Sequence, residues 1–529
     1  MYMSGDAGVV RRRDGTFSVA IVLVALLVAC FAFCRSAFAS TADQALSFAS
    51  DDVMRGSLKV EKTLPLGKKQ GDTSVKDVEF DIYVEHGTVL VNDVWYRGID
   101  LDGDEAVPCA TIVTNEDGIA QTPAKYLPYG TYRVVESSVP EGQGFAKVGD
   151  AKWSKVVEVH GDGVVADAGK VENPIDPVTV SVHKRDVEQG TAQGGASLAG
   201  AVFTVYNRSE APVEYTKGGQ TKVIEVNGVV DTMVTDESGY ASLPADCLDY
   251  GTYEAVETTP PTGYNLGDIA WASGPVACHE KNTEHDLGTC SNSVIRGGLR
   301  VIKFDRQHDA AVPQGDGKLN AEYTVWTRGA KDVIVNGTTY HKDDIVYVGV
   351  ANEVNGVLSI PANTFPYGTY EVRETKAPYG YLIDSDWSYT FSVSAEGAIY
   401  EPSQSEMNKN EPVKGGIRVL KVDAETGESA PQGNGDLANI SIDIYNASAM
   451  SIFYGDTEVA PGAKVCTIKT RKTSDGYIAE TGARDLPMGT YTLRESDVPS
   501  STGYLRNLGW NPTVVIRNDG EIAEALVTE

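Results

Sequence analysis

Three kinds of side chain with chemical potential recur in this 529-residue chain at nearly constant spacing. Lysines end apolar alternating runs at Lys62, Lys184, Lys303 and Lys421, and glutamates end similar runs at Glu136, Glu257, Glu374 and Glu495. Asparagines stand at Asn173, Asn292 and Asn410, each 11 residues before the next lysine. A lysine on an apolar strand face is desolvated, which lowers its pKa and makes a neutral amine accessible near pH 7. Such an amine can attack the side-chain carbonyl of asparagine. A carboxyl kept protonated by the same burial can hydrogen-bond that carbonyl and relay protons as ammonia leaves. The product is an intramolecular isopeptide bond. The alternative is an unreactive buried ion-pair network, and the residue pattern leaves both open.

The elements that must position these groups are strands. One motif is written four times, as YGTYRVVES from Tyr129, YGTYEAVET from Tyr250, YGTYEVRET from Tyr367 and MGTYTLRES from Met488. Period-two alternation puts Tyr132, Val134 and Glu136 on one face, and the other copies repeat the arrangement. Leu58, Val60 and Lys62 form the corresponding row on a first strand. The lysines recur after 122, 119 and 118 residues, which is the size of a domain rather than of a solenoid unit. Between the columns lie a second strand such as Phe80 to Tyr83, and an inserted hairpin as in VLVNDVWY and VIVNGTTY. A glycine turn such as Asn115 to Gly118 leads toward the glutamate strand, and a tryptophan (Trp153, Trp271, Trp387, Trp510), expected in the core, follows it. With no long helical periodicity after residue 39, the expected fold is all-β, four tandem β-sandwiches. The expected limits are 56–176, 177–295, 296–413 and 414–529, the fourth repeat being expected to lack its last strand. Short proline-bearing connections, Pro174 to Pro177 and Pro412 to Gly416, favour a stiff arrangement.

The segments YRVVESSVPEGQGF, YEAVETTPPTGYN, YEVRETKAPYGYL and YTLRESDVPSSTGYL resemble the E-box of Gram-positive pilins and of collagen-adhesin B-type, SpaA-like repeats. LAGAVFTVY, from Leu198 to Tyr206, is similar to that family's second strand. The resemblance spans residues 56 to 529. It implies prealbumin-like sandwiches in which a Lys to Asn isopeptide bond, promoted by the E-box glutamate, joins first and last strands. Carried over by position, the sets are Lys62, Glu136 and Asn173; Lys184, Glu257 and Asn292; and Lys303, Glu374 and Asn410. Asn408 competes with Asn410 because both share a face. Lys421 and Glu495 match in the fourth copy, whose acceptor is expected at about 528 to 532, so a longer parent protein is expected. The sequence departs from the family in having no YPK-type pilin motif and no LPxTG-like sorting signal, which speaks against polymerisation as a major pilin.

Arg11 to Arg13, the apolar run Val19 to Phe33 and Ala37-Phe38-Ala39 predict a secretory signal at 1–39, followed by a polar leader to residue 55. A lipobox-like Leu27 to Cys30 keeps lipid attachment open. The net charge of −29 disfavours nucleic acid, and no second apolar run predicts membrane insertion of the mature chain. Expected localisation is the secreted, surface or wall compartment of a Gram-positive cell. The expected partners are a host matrix or cell-surface ligand and other pilus or wall components. Five cysteines follow residue 39 and none recurs in register; Cys278 and Cys290 flank an apparent hairpin and could pair. With His279 and His285 they match no zinc spacing, so neither metal nor cofactor is expected. The acidic run Asp100 to Glu105 reads as a solvated turn ahead of a calcium loop. The seven histidines do not repeat in register and no hydrolase or phosphate-loop motif occurs, so catalysis on external substrates is not expected.

Overall fold

Alternating runs become strands throughout the computed structural model, which describes residues 50–145 and 153–528. The signal and lipobox expectations lie outside those residues. From Arg55 onward the chain forms one contact unit holding four large hydrophobic cores, one for each repeat. Each core with the sheets around it makes one module. Among the described residues the longest α-helix is the four-residue turn Ile99–Asp102, and no helix is long and apolar enough to cross a membrane.

Two sheets enclose each core. In the second module Pro177–Asp186, the lysine strand, runs parallel to the closing strand Glu284–Asn292 and antiparallel to Tyr240–Ser242. The facing sheet has the order Val229–Val234, Val202–Asn207, Gly251–Thr259, Val276–Cys278, with the glutamate strand third. The first module repeats this with Arg55–Thr63 parallel to Val165–Glu172, and the fourth with Lys414–Val422 parallel to Ile522–Thr528. In the third module the lysine strand is interrupted. Arg296–Ile302 pairs with Ile399–Tyr400, and Phe304–Asp305 then pairs with Lys409–Asn410. Alternation along the glutamate strands buries Tyr253, Ala255 and Glu257 and leaves the intervening residues half-exposed, as the period of two requires.

The repeated Gly-Thr-Tyr has a structural reason. The tyrosine hydroxyl donates to the backbone carbonyl four residues earlier, from Tyr132 to Pro128, Tyr253 to Asp249, Tyr370 to Pro366 and Tyr491 to Pro487, at 2.7–2.8 Å. This pins the start of the glutamate strand while burying the ring. The inserted hairpins form as expected. Asn92 and Asp93 take positive φ in one two-residue turn and Asn336 and Gly337 in another.

Three expectations need correction. Cys278 and Cys290 do not flank a hairpin, because their strands belong to opposite sheets, and all five described cysteines are free. Their neighbours diverge too: His279 stacks on Tyr250, whereas His285 turns to the Glu280 carbonyl. Trp153, Trp271 and Trp387 are half-buried and stand edge-on to Phe80, Phe203 and Tyr323, covering the rim of the core rather than filling it. The fourth module, expected to lack its last strand, has one in Ile522–Thr528, paired with Lys414–Val422. The acidic run is the solvated turn expected: the Asp100 carboxylate accepts from the Gly87 N–H and Asp102 pairs with Arg97.

Candidate functional site

The parallel pairing of first and last strands carries the lysine and asparagine columns to one place. Lys62 lies opposite Val171 and Lys184 opposite Cys290, so each asparagine stands two positions beyond the residue facing the lysine, on the same face. The register Phe304 to Lys409 places Asn410 equivalently in the third module. In the fourth, Lys421 faces Val527, and the same step leads to position 529, a glutamate outside the described residues.

All four Lys–Glu pairs are buried, and in each the amine Nζ lies 3.7 Å from a glutamate Oε1. The carboxylate also holds the asparagine. Asn173 Nδ2 is 3.1 Å from both oxygens of Glu136, Asn292 Nδ2 is 3.1 and 2.9 Å from those of Glu257, and Asn410 Nδ2 is 2.7 Å from Glu374 Oε1. The amine is steered further by the closing-strand backbone, as Lys62 donates to the Val171 carbonyl at 3.3 Å and Lys184 to that of Cys290 at 3.4 Å. Thus the predicted triads assemble in three modules. In the third, Asn408 is buried beside them; its Oδ1 accepts from Lys303 and, at 3.0 Å, from the Tyr323 hydroxyl.

Burial shifts the four lysines, and the glutamates of the third and fourth modules, toward their neutral forms. Desolvation lowers the amine of Lys303 to about 7 and those of Lys62 and Lys421 to about 8, against the smaller opposing pull of their glutamates. Lys184 is lowered for the same reason. Desolvation also raises Glu374 and Glu495 above the ordinary carboxylate range. A neutral amine beside a protonated carboxyl is the state that nucleophilic attack needs.

Several contributors escaped the sequence reading. Phe145 places its ring 4.9 Å from the Lys62 amine and Tyr264 lies 5.7 Å from that of Lys184, walling the site with apolar surface. The turn glycines Gly118, Gly239 and Gly356 accept the lysine N–H through their carbonyls at 2.6–2.8 Å. At Gly239, with φ +82°, an added Cβ would overlap the Lys184 carbonyl oxygen. Cys290 Sγ approaches Glu257 Oε2 at 3.4 Å. An Asp two residues after the lysine, at Asp186, Asp305 and Asp423, is buried and hydrogen-bonded by Gln193, Gln314 and Gln432. The Lys-x-Asp spacing was the available signal.

Fold and site together define a class: a tandem array of prealbumin-like β-sandwiches of the pilin and adhesin type. The chain belongs to the SpaA family of prealbumin-like fold domains, whose profile matches residues 56–166, 179–272 and 314–406, more than half its length. It is 22% identical over 234 residues to the collagen adhesin of Staphylococcus aureus, covering 42% of this chain but only 18% of that protein. Among solved structures it is similar to the Bacillus anthracis TIE protein, with 20% identity, TM-score 0.43, and coverage of 91% of this chain and 76% of that one. It is also similar to BcpA, the major pilin subunit of Bacillus cereus, at 15% identity and TM-score 0.24, covering 68% of this chain and 99% of that one. The family is associated with Gram-positive surfaces.

Proposed function

We propose that each of the first three modules closes an amide between its lysine and asparagine, and that the chain is a load-bearing stalk or minor pilin-like adhesin subunit. The observation that carries this reading is the buried carboxylate bridging amine and carboxamide in three modules. The Nζ lone pair of the neutral lysine attacks the asparagine Cγ. The glutamate accepts one Nζ proton and delivers one to Nδ2, the Cγ–Nδ2 bond breaks, ammonia leaves, and the carboxyl ends in its starting state. The reaction occurs once per module and uses no external substrate. Lys421 and Glu495 form the corresponding pair without an asparagine at position 529.

Strand topology supports the mechanical role. With first and last strands parallel, tension arriving at Pro177 runs along one strand to Lys184 and leaves just beyond Asn292. A bond there shunts the load past the residues between. Pulling on the chain ends tests this. Unbonded, the segment from Lys184 to Asn292 would release roughly 350 Å of extra length, whereas a bonded module releases none. Full extension of all modules in the untreated chain would overturn the reading. The module limits 56–176, 177–295, 296–413 and 414–529, secretion and attachment to a Gram-positive wall are part of the proposal.

A second reading, ligand recognition by the inserted hairpins, is favoured by Trp95, which is 67% exposed on the hairpin Thr88–Val91 and Val94–Arg97. The printed name of the staphylococcal relative makes collagen the first ligand to try. Binding of the full chain to immobilised collagen, lost on Trp95→Ala, would support it; equal retention by both proteins on collagen and on a bare surface would remove it.

A further inference from the structure

Three times, the loop after a lysine strand is clasped by the following module. Gly71, Gly194 and Gly315 donate their N–H groups to the carbonyls of Pro212, Asp332 and Ser451 at 2.9–3.0 Å. The next residues, Asp72, Gly195 and Asp316, donate to the carbonyls of Tyr250, Tyr367 and Met488 at 3.4, 2.9 and 3.4 Å. The three glycines have φ of +59°, +57° and +63°, and a Cβ on any of them would overlap the carbonyl oxygen of Tyr250, Tyr367 or Met488. A second glycine column receives the side chain. A Cβ on Gly144 would come within 2.6 Å of the Tyr250 ring, one on Gly263 within 3.0 Å of Tyr367, and one on Gly380 within 2.5 Å of the Met488 methyl. The joint is therefore a knob, Tyr or Met, in a socket of two glycine turns, and it buries Gln70, Gln193 and Gln314.

The fourth module carries the same socket in the same conformation. Gly433 has φ +59° and Gly503 φ +82°. Gln432 Nε2 donates to Asp423 at 2.9 Å, and the Tyr504 hydroxyl donates to it at 2.8 Å, as Gln314 and Tyr381 do to Asp305. Yet among the described residues nothing lies within 4 Å of a Cβ on Gly433, Gln432 is exposed, and Leu505 beside the open hollow is 87% exposed. The socket is formed without its knob, so ordering it adds little to the cost of association.

We propose that the Gln432–Gly435 loop and the Gly503–Tyr504 turn are a docking socket for a further module of this same prealbumin-like kind, one that presents a Tyr- or Met-Gly-Thr-Tyr knob. The first module of a second copy fits less well. Its Tyr129 is 45% exposed and followed by Gly-Thr-Tyr, but the carbonyl equivalent to Pro212, that of Gly87, is occupied by the Gly98 N–H at 2.7 Å. Its corner, Glu85 to Gly87, is also shorter than those of the other modules.

The test compares amide hydrogen exchange at Gly433 and Asn434 in the full chain and in the chain extended after Glu529 by a second copy of residues 411–529. The proposal expects both amides to slow by about tenfold or more on extension, toward the rates at Gly315 and Asp316. It also expects Gly433→Val in the extended chain to reverse this while the strands of the added copy stay protected. If that copy is itself unprotected, a copy of residues 293–412, with its Tyr367 knob, replaces it. Unchanged rates at Gly433 and Asn434 with either copy overturn the docking socket. Slowing in the unextended chain as its concentration rises would make a second copy the occupant and overturn the one proposed.

Discussion

The amine of Lys303 lies 3.7 Å from Oε1 of Glu374, and that oxygen also accepts from Asn410 Nδ2 at 2.7 Å. One carboxylate oxygen thus touches both would-be reactants in a site closed to water. Electrostatic effects are largest where no solvent competes. Intact-mass measurement of the full chain should find it lighter than its sequence by one ammonia for each of three bonds. Lys184→Ala should restore one ammonia and leave the other two losses in place; full sequence mass in the unmodified chain would contradict the mechanism.

Glu257→Gln keeps the shape of the second site but supplies no titrating proton. Its module should retain its ammonia and melt earlier. The lost closure of the Lys184 to Asn292 loop is worth up to about 5 kcal/mol by the chain-entropy relation. Calorimetry of the full chain should show one transition moving down and the others fixed. An unmoved transition would mean that the bond does not form or does not stabilise.

Asn408 and Asn410 separate by partner. Asn410 donates to Glu374, the proton relay of the proposed reaction, while Asn408 is held through Oδ1 by Lys303 and Tyr323. Peptide mapping should find Lys303 joined to residue 410. Asn410→Ala should abolish the cross-link, and Asn408→Ala should slow it without moving it.

Where the bond is blocked, as in Asn410→Ala, the buried lysine becomes visible in stability. Lys303 titrates at about 7 when folded and from 10.5 in the reference state, so between those values the unfolded chain binds the extra proton. Stability from this group therefore rises as pH increases from about 7 to 10.5 and is flat below that window. Denaturant unfolding across the range should show the rise, and Lys303→Met added to the same variant should remove it.

Gly239→Ala should destabilise the second module by more than the ~1 kcal/mol typical of a forced left-handed residue, because the new Cβ also meets the Lys184 carbonyl. The readout is a lowered second-module transition together with slower ammonia loss there. Similar behaviour in the unmodified chain would show that this turn does not position the lysine.

Much of this protein is written in its local pattern. Alternation placed Tyr253, Ala255 and Glu257 on one buried face, and equal spacing of Lys184 and Asn292 with their counterparts marked first and last strands, because a side-chain period of two and a domain-length repeat are properties of the chain itself. Strand pairing decided the remainder. Which asparagine meets Glu374, that Lys421 stands opposite Val527, that Cys278 and Cys290 lie in opposite sheets, and that Gly71, Gly194 and Gly315 are pressed against the following module all depend on neighbours distant in sequence. No local signal carries such contacts. A glycine that turns the chain and a glycine that admits another backbone read alike until the partner is in place.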